Sequence, residues 1–168
     1  MSVKVGDTLP AGTLSEYIEV EGNGCSLGPN AFAVEALTAG KKVVIFGVPG
    51  AFTPTCSAQH VPGYLARLDA LRAKGVAEVL CMAVNDPFVM GAWARTLGTA
   101  GKIRMMADGS AVYTKALGLE LDLVAKGLGT RCQRFSMLVD NGVVRMLNVE
   151  APGKFEVSDA ETMLKQLG

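Results

Sequence analysis

Cys56, one of four cysteines in the 168-residue chain, sits in a segment whose residue types suit chemistry: VPGAFTPTCSAQH, from Val48 to His60. The thiol follows a solid apolar run and is flanked by small, turn-forming residues. Thr53 can serve as a helix N-cap and Pro54 suits the first helical position, so Cys56 falls in the first turn of a helix. Free backbone N–H groups and the positive end of the helix dipole favour an anion there, and the anion of a cysteine is the nucleophilic thiolate. Thiols at helix N-termini or beside cations titrate at roughly 3.5–7.5 instead of about 8.5. A fall of about two units corresponds to roughly 2.7 kcal/mol in favour of the charged form, whereas a helix end alone supplies about 0.3–1 kcal/mol. A cation is therefore expected beside the thiol. Arg134, in RCQRF, is the candidate, because a guanidinium stays charged and donates several hydrogen bonds at once. His60, four residues beyond Cys56, can face the same way, although a lone histidine is more often a surface or packing residue. The competing reading of Cys56 is a small side chain filling a helix–strand junction, since free cysteine is among the most buried residue types.

The elements that must hold these residues alternate between strand and helix. Val43 to Val48 is apolar at every position, as in a central strand covered on both faces, and implies a parallel sheet. Val61, Tyr64, Leu65, Leu68 and Leu71 follow helical spacing up to Gly75, with Pro62 as a candidate kink. Val79 to Val84 reads as a second buried strand, and Asp86-Pro87 as the N-cap and first residue of the next helix. A short strand near Ile103 to Ala107 and a helix near Ala111 to Leu117 extend the pattern. Two β-rich runs flank Asp140-Asn141-Gly142, a strong hairpin signal. Ser158 to Glu161 has capping-box spacing and opens a last helix through Leu167. Glu120 to Thr130, rich in leucine and glycine, carries no clear assignment. These elements make a three-layer α/β fold, a mixed central sheet flanked by helices. In such sheets ligands gather beyond the carboxyl ends of the strands, where Pro49 to Cys56 lies.

Length and composition fit a single domain over residues 1–168, with 49% hydrophobic and 19% charged residues and no linker or low-complexity tract. Sixteen basic and sixteen acidic side chains cancel, which removes a charge-based case for nucleic-acid or anionic-membrane binding. MSVKVGDTLP has no signal-peptide pattern and no run approaches the roughly 18 apolar residues of a membrane span, so a cytoplasmic location is expected. Cys25, Cys56, Cys81 and Cys132 form no C-x-x-C pair, which argues against a zinc ribbon or a thioredoxin-type redox motif.

PGAFTPTCS resembles the active-site loop of peroxiredoxins, with their Pro-x-x-x-Thr/Ser-x-x-Cys pattern at Pro49, Thr53 and Cys56. The pattern is closest to the type II, peroxiredoxin-5-like group, and within it to plant-type and bacterial members. KVGDTLP, the His60 to Gly63 segment, AVNDPFVMGAW, the Ala107 to Ala111 segment and RFSMLVDNGVV resemble that group in order and spacing. The resemblance implies a thioredoxin-like fold with peroxiredoxin additions, and reduction of hydrogen peroxide and organic hydroperoxides by a peroxidatic thiolate. By position, Cys56 would be that thiol, Thr53 would hydrogen-bond peroxide and thiolate, Pro49 would shield the pocket and Arg134 would be the active-site arginine. The Cys56 product would be a sulfenic acid, and no metal, haem or flavin is implied.

How the sulfenic acid is recycled stays open at this point. Cys81 reads from its strand as a core residue, yet plant-type members carry their resolving cysteine at the corresponding place. A Cys56–Cys81 disulfide reduced by thioredoxin or glutaredoxin stands beside a one-cysteine cycle in which glutathione or glutaredoxin attacks directly. Cys132 is a third-choice resolver if strand alternation turns it toward the face of Arg134, and Cys25 reads as incidental. The rival functions are a non-enzymatic peroxide sensor or holdase and a thiol-disulfide exchange protein, the latter disfavoured by the missing C-x-x-C. The resemblance also implies a homodimer paired around the active-site loop, with Phe46, Phe52, Phe88 and Trp93 as contact candidates.

Overall fold

In the computed structural model, which describes residues 1–19 and 27–168, Val43 to Val48 lie at the centre of the sheet and are entirely buried but for a half-exposed stretch that begins beyond them at Pro49. Cys25 lies outside the described residues. In chain order the strands are β1 (Thr13–Ile18), β2 (Gly28–Ala33), β3 (Lys42–Val48), β4 (Val76–Ala83), β5 (Arg104–Ala107), β6 (Glu120–Leu123), β7 (Gly129–Cys132), β8 (Phe135–Asp140) and β9 (Val143–Val149). The α-helices are α1 (Val34–Thr38), α2 (Val61–Ala66), α3 (Leu68–Ala73), α4 (Pro87–Leu97), α5 (Val112–Leu117) and α6 (Ala160–Leu167).

Seven strands form one mixed sheet in the order β2-β1-β5-β4-β3-β8-β9. β3 pairs with β4 and β4 with β5 in parallel, while β8 runs antiparallel to β3 and carries the β8–β9 hairpin. Asn141 and Gly142 turn that hairpin with φ of 47° and 79°, the positive values that a tight two-residue turn requires. Alternation along the strands divides the core in two. Val44, Phe46, Val79 and Cys81 pack with Tyr64 and Trp93 on one face. Val43, Ile45, Leu80 and Met82 pack with Leu37, Tyr113 and Leu117 on the other. β6 and β7, the stretch without a sequence assignment, pair as a separate two-stranded antiparallel sheet. β1, β2 and α1, which carry no strong periodic signal, fill the far edge of the main sheet.

Two local expectations are corrected. The adjustment at Pro62 is not a kink at the proline: Cys56–His60 forms a π-helical turn before it, closed by the Val61 N–H on the Cys56 carbonyl. Proline has no N–H to give and crowds the carbonyl four residues back, and the wider turn takes up that conflict. The helix breaks instead at Arg67, with φ −105° and ψ 8°. The cap of α6 is Asp159, which accepts the Thr162 N–H, and not Ser158. Ser158 is withdrawn because its own N–H and hydroxyl are both spent on the Glu150 carboxylate, at 2.8 and 2.7 Å. Asp86 does cap α4, accepting the Val89 N–H at 2.9 Å ahead of Pro87.

Candidate active site

β3 delivers the chain to the end of the sheet, and the loop from Pro49 to Thr53 reverses it into the helix that starts at Pro54. The Thr53 carbonyl accepts the Ser57 N–H at 3.0 Å, so Thr53 holds the N-cap position. Its hydroxyl does not cap. It donates to the Gly50 carbonyl at 2.7 Å, which leaves the Thr53 oxygen only as an acceptor toward any other group. In that first turn Cys56 is wholly buried, and Trp93 donates its indole N–H to the neighbouring Ser57 hydroxyl at 3.0 Å.

Arg134 arrives from the loop before β8, 78 residues away in sequence, and closes on the thiol. One guanidinium nitrogen, Nη2, donates to Cys56 Sγ at 3.2 Å. The other, Nη1, donates to His60 Nδ1 at 2.9 Å. Arginine only donates, so Nδ1 accepts and the ring proton sits on Nε2, which donates to the Ser158 carbonyl at 3.1 Å. His60 is wholly buried, 4.7 Å from the Phe46 ring and 4.9 Å from the Phe155 ring. Burial, aided by the Arg134 charge, lowers its pKa from 6.5 to about 3. The imidazole therefore stays neutral and serves as an acceptor that orients the guanidinium.

Behind His60 the network continues. Tyr64 donates its hydroxyl to the same Ser158 carbonyl at 2.9 Å. The Glu150 carboxylate accepts the N–H groups of Glu156, Val157 and Ser158 as well as the Ser158 hydroxyl. Burial opposes its charge, but these hydrogen bonds prevail and hold Glu150 below its usual pKa. The segment from Glu150 to Ser158 is thus tied down at both ends, and Phe155 within it lies 5.7 Å from the Arg134 guanidinium carbon. A cleft of about 150 Å³ opens onto Arg134, walled by Pro49, Thr55, Leu121, Pro152 and Phe155.

Pro49, Thr53, Cys56 and Arg134 therefore meet at one end of the sheet, and His60 joins them as a neutral anchor. Cys81 lies on β4 opposite Phe46, in the same core cluster as Cys56, and is wholly buried. Burial, together with the nearby Cys56, pushes its thiol well above the ordinary range. Cys132 packs in the cluster on the opposite face of the sheet, its thiol on the Gln133 carbonyl at 3.2 Å, so alternation does not bring it to Cys56. Of the aromatic contact candidates, Phe46 and Trp93 are core residues with no exposed surface, whereas Phe52 and Phe88 are 54% and 63% exposed. Glu150, Ser158 and Phe155 carry no sequence signal for this site; only the return of the loop after β9 places them there.

The family model described as Redoxin matches residues 4–164. The chain is similar to peroxiredoxin-2C of Arabidopsis thaliana, 49% identical over 165 residues that cover 98% of each chain. A crystal structure of reduced Prx3 in complex with hydrogen peroxide, from Vibrio vulnificus, superposes with a TM-score of 0.90 at 51% identity, over 99% of each chain. A crystal structure from Burkholderia cenocepacia, provisionally described as a thioredoxin reductase, superposes with a TM-score of 0.98 at 60% identity, over 100% of this chain and 99% of that one.

Proposed function

Because the chain belongs to the Redoxin family and is a peroxiredoxin, a thiol-dependent peroxidase of thioredoxin-like fold, we propose that Cys56 is its peroxidatic thiol. The observation that carries this reading is the Arg134 fork, with one nitrogen on the Cys56 sulfur and the other on a neutral His60. The Cys56 thiolate attacks one oxygen of hydrogen peroxide or an alkyl hydroperoxide. An S–O bond forms as the O–O bond breaks, sulfur is oxidised to the sulfenic acid, and the second oxygen takes up a proton and leaves as water or alcohol. Arg134 supports the thiolate and then the charge that moves onto the oxygens. Thr53, its hydroxyl hydrogen committed to Gly50, accepts a hydrogen bond from the hydroperoxide O–H. Pro49 walls the cleft that opens onto Arg134 and shields it.

A thiol reductant, glutaredoxin with glutathione or thioredoxin, returns the enzyme to its starting state. Cys81 is the resolving candidate, since it shares a core cluster with Cys56. A disulfide requires Cα atoms within roughly 7 Å, and the π-helical turn that begins at Cys56 is the element that would have to open. Phe52 and Phe88, exposed around the loop, fit the contact face of a homodimer. Steady peroxide consumption with a thiol reductant, abolished in Cys56→Ser, is the expected result; a Cys56→Ser enzyme that still turns over refutes the assignment. Mass spectrometry after one equivalent of peroxide separates the two recycling routes. A Cys56–Cys81 cross-linked peptide supports the disulfide, and full turnover of Cys81→Ser with glutaredoxin eliminates it.

A further inference from the structure

We infer that Arg131 is a positioning residue of this peroxidase, acting on the loop that presents Thr53 and not on the sulfur. The inference rests on the Cys56 reading above. Arg131 lies on β7, in the small sheet apart from the main one, paired with Leu121. Its Nε–H donates to the Leu128 carbonyl at 2.8 Å, which steadies the side chain, and Nη1–H donates to the Pro49 carbonyl at 3.2 Å. The next residue is made to fit: a Cβ on Gly50 would stand 2.5 Å from Arg131 Nη1. Gly50 is not among the residues with positive φ, so a side chain there would meet no backbone strain but would have to displace the guanidinium.

Two successive peptide planes of the loop are therefore held from three directions. The plane that joins Gly50 to Ala51 is fixed by the Thr53 hydroxyl on its carbonyl and by Asn85 Oδ1, which accepts its N–H at 2.9 Å. The plane that joins Pro49 to Gly50 is fixed by Arg131. Glycine has the widest backbone freedom of any residue, so without that guanidinium the Pro49–Gly50 plane can rotate about Gly50. Rotation carries with it the proline wall of the cleft and strains Gly50, the junction to the next plane, whose carbonyl orients Thr53. Arg131 thus sets where the Thr53 oxygen meets the hydroperoxide, while Arg134 donates to the sulfur.

Single-turnover oxidation of Cys56 by hydrogen peroxide tests this, followed by the fluorescence of Trp93, the sole tryptophan, which bonds to Ser57 beside the thiol. Alkylation of Cys56 by iodoacetamide is the control, since that electrophile has no O–O bond for Thr53 to hold. Arg131→Met is expected to slow peroxide oxidation roughly ten- to hundredfold while alkylation keeps its wild-type rate, and Arg131→Lys is expected to recover part of the loss. Gly50→Ala, which displaces the guanidinium, is expected to match Arg131→Met and to add little in the double variant. Wild-type peroxide rates in Arg131→Met, equal losses in both reactions, or additive losses in the double variant overturn the inference. Residual turnover in Cys56→Ser would instead overturn the underlying assignment of the peroxidatic thiol.

Discussion

Acid stability should carry the signature of His60, and the chain offers a clean way to read it because this is its only histidine. In the unfolded chain the imidazole has an ordinary pKa of 6.5, whereas burial and the Arg134 charge bring it to about 3 in the fold. Glu150, Asp159 and the Ser158 carbonyl pull the other way without reversing the shift. Between those two values the unfolded state binds a proton that the native state refuses, so stability rises with pH there. It is fully present above pH 6.5 and drains away as pH falls toward 3. The slope is about 1.4 kcal/mol per pH unit, so at pH 4.5, two units below the unfolded value, the loss is roughly 2.7 kcal/mol. Set against a typical folding free energy of about 5–15 kcal/mol, that is a large share. Urea unfolding of wild type and His60→Gln at pH 4.5 to 7.5 measures it. The variant loses stability at pH 7.5, where its contacts to Arg134 and Ser158 go, but its pH slope is shallower by the stated amount. Proton NMR gives the direct check: the single imidazole resonance should show no titration between pH 5 and 8. Parallel stability curves, or a midpoint near 6.5, would refute the buried neutral anchor and with it the orientation assigned to Arg134.

Other substitutions probe separate parts of the structure. Arg134→Met removes the only side-chain donor bonded to Cys56 Sγ among the described residues, and single-turnover oxidation by hydrogen peroxide should slow by about 100-fold or more. Glu150→Gln weakens four charge-assisted hydrogen bonds and should cost about 1–3 kcal/mol in urea unfolding at pH 7. Because the native carboxyl is held below its ordinary pKa, that difference should shrink as pH falls below the ordinary carboxylate range. Gly47→Ala would place a Cβ 2.2 Å from the Phe135 ring and 3.0 Å from the Cys132 sulfur. Thermal unfolding should show a loss of about 1–3 kcal/mol from overpacking, eased when Phe135→Leu is added.

Much of the frame was legible because its signals are local. The uninterrupted apolar run of β3, the Asp86-Pro87 start of α4 and the Asn141-Gly142 turn each act within a few residues. Thr53, Pro54 and Cys56 are of the same kind, and the need for a cation beside a helix-end thiol points to Arg134. β1 and β2, the last two strands at one end of the sheet, were harder, because they bury few of their side chains. Ser158 and Asp159 stand side by side with equal claims as helix caps. Glu150, eight residues upstream, decides between them by taking the Ser158 hydroxyl.

Residue order by itself determined the central strands, the β8–β9 turn and the helix starts at Thr53 and Asp86, and which thiol stands at a helix end, because those preferences arise from backbone sterics and neighbouring side chains. Only the tertiary structure decided that His60 is a buried neutral acceptor, that Glu150 and Ser158 brace it, that Arg131 reaches the Pro49 carbonyl and that Cys132 faces away from Cys56. Each of these depends on desolvation or on a hydrogen bond between segments far apart in the chain. Such interactions acquire their energy only when folding removes the groups from water and brings them together.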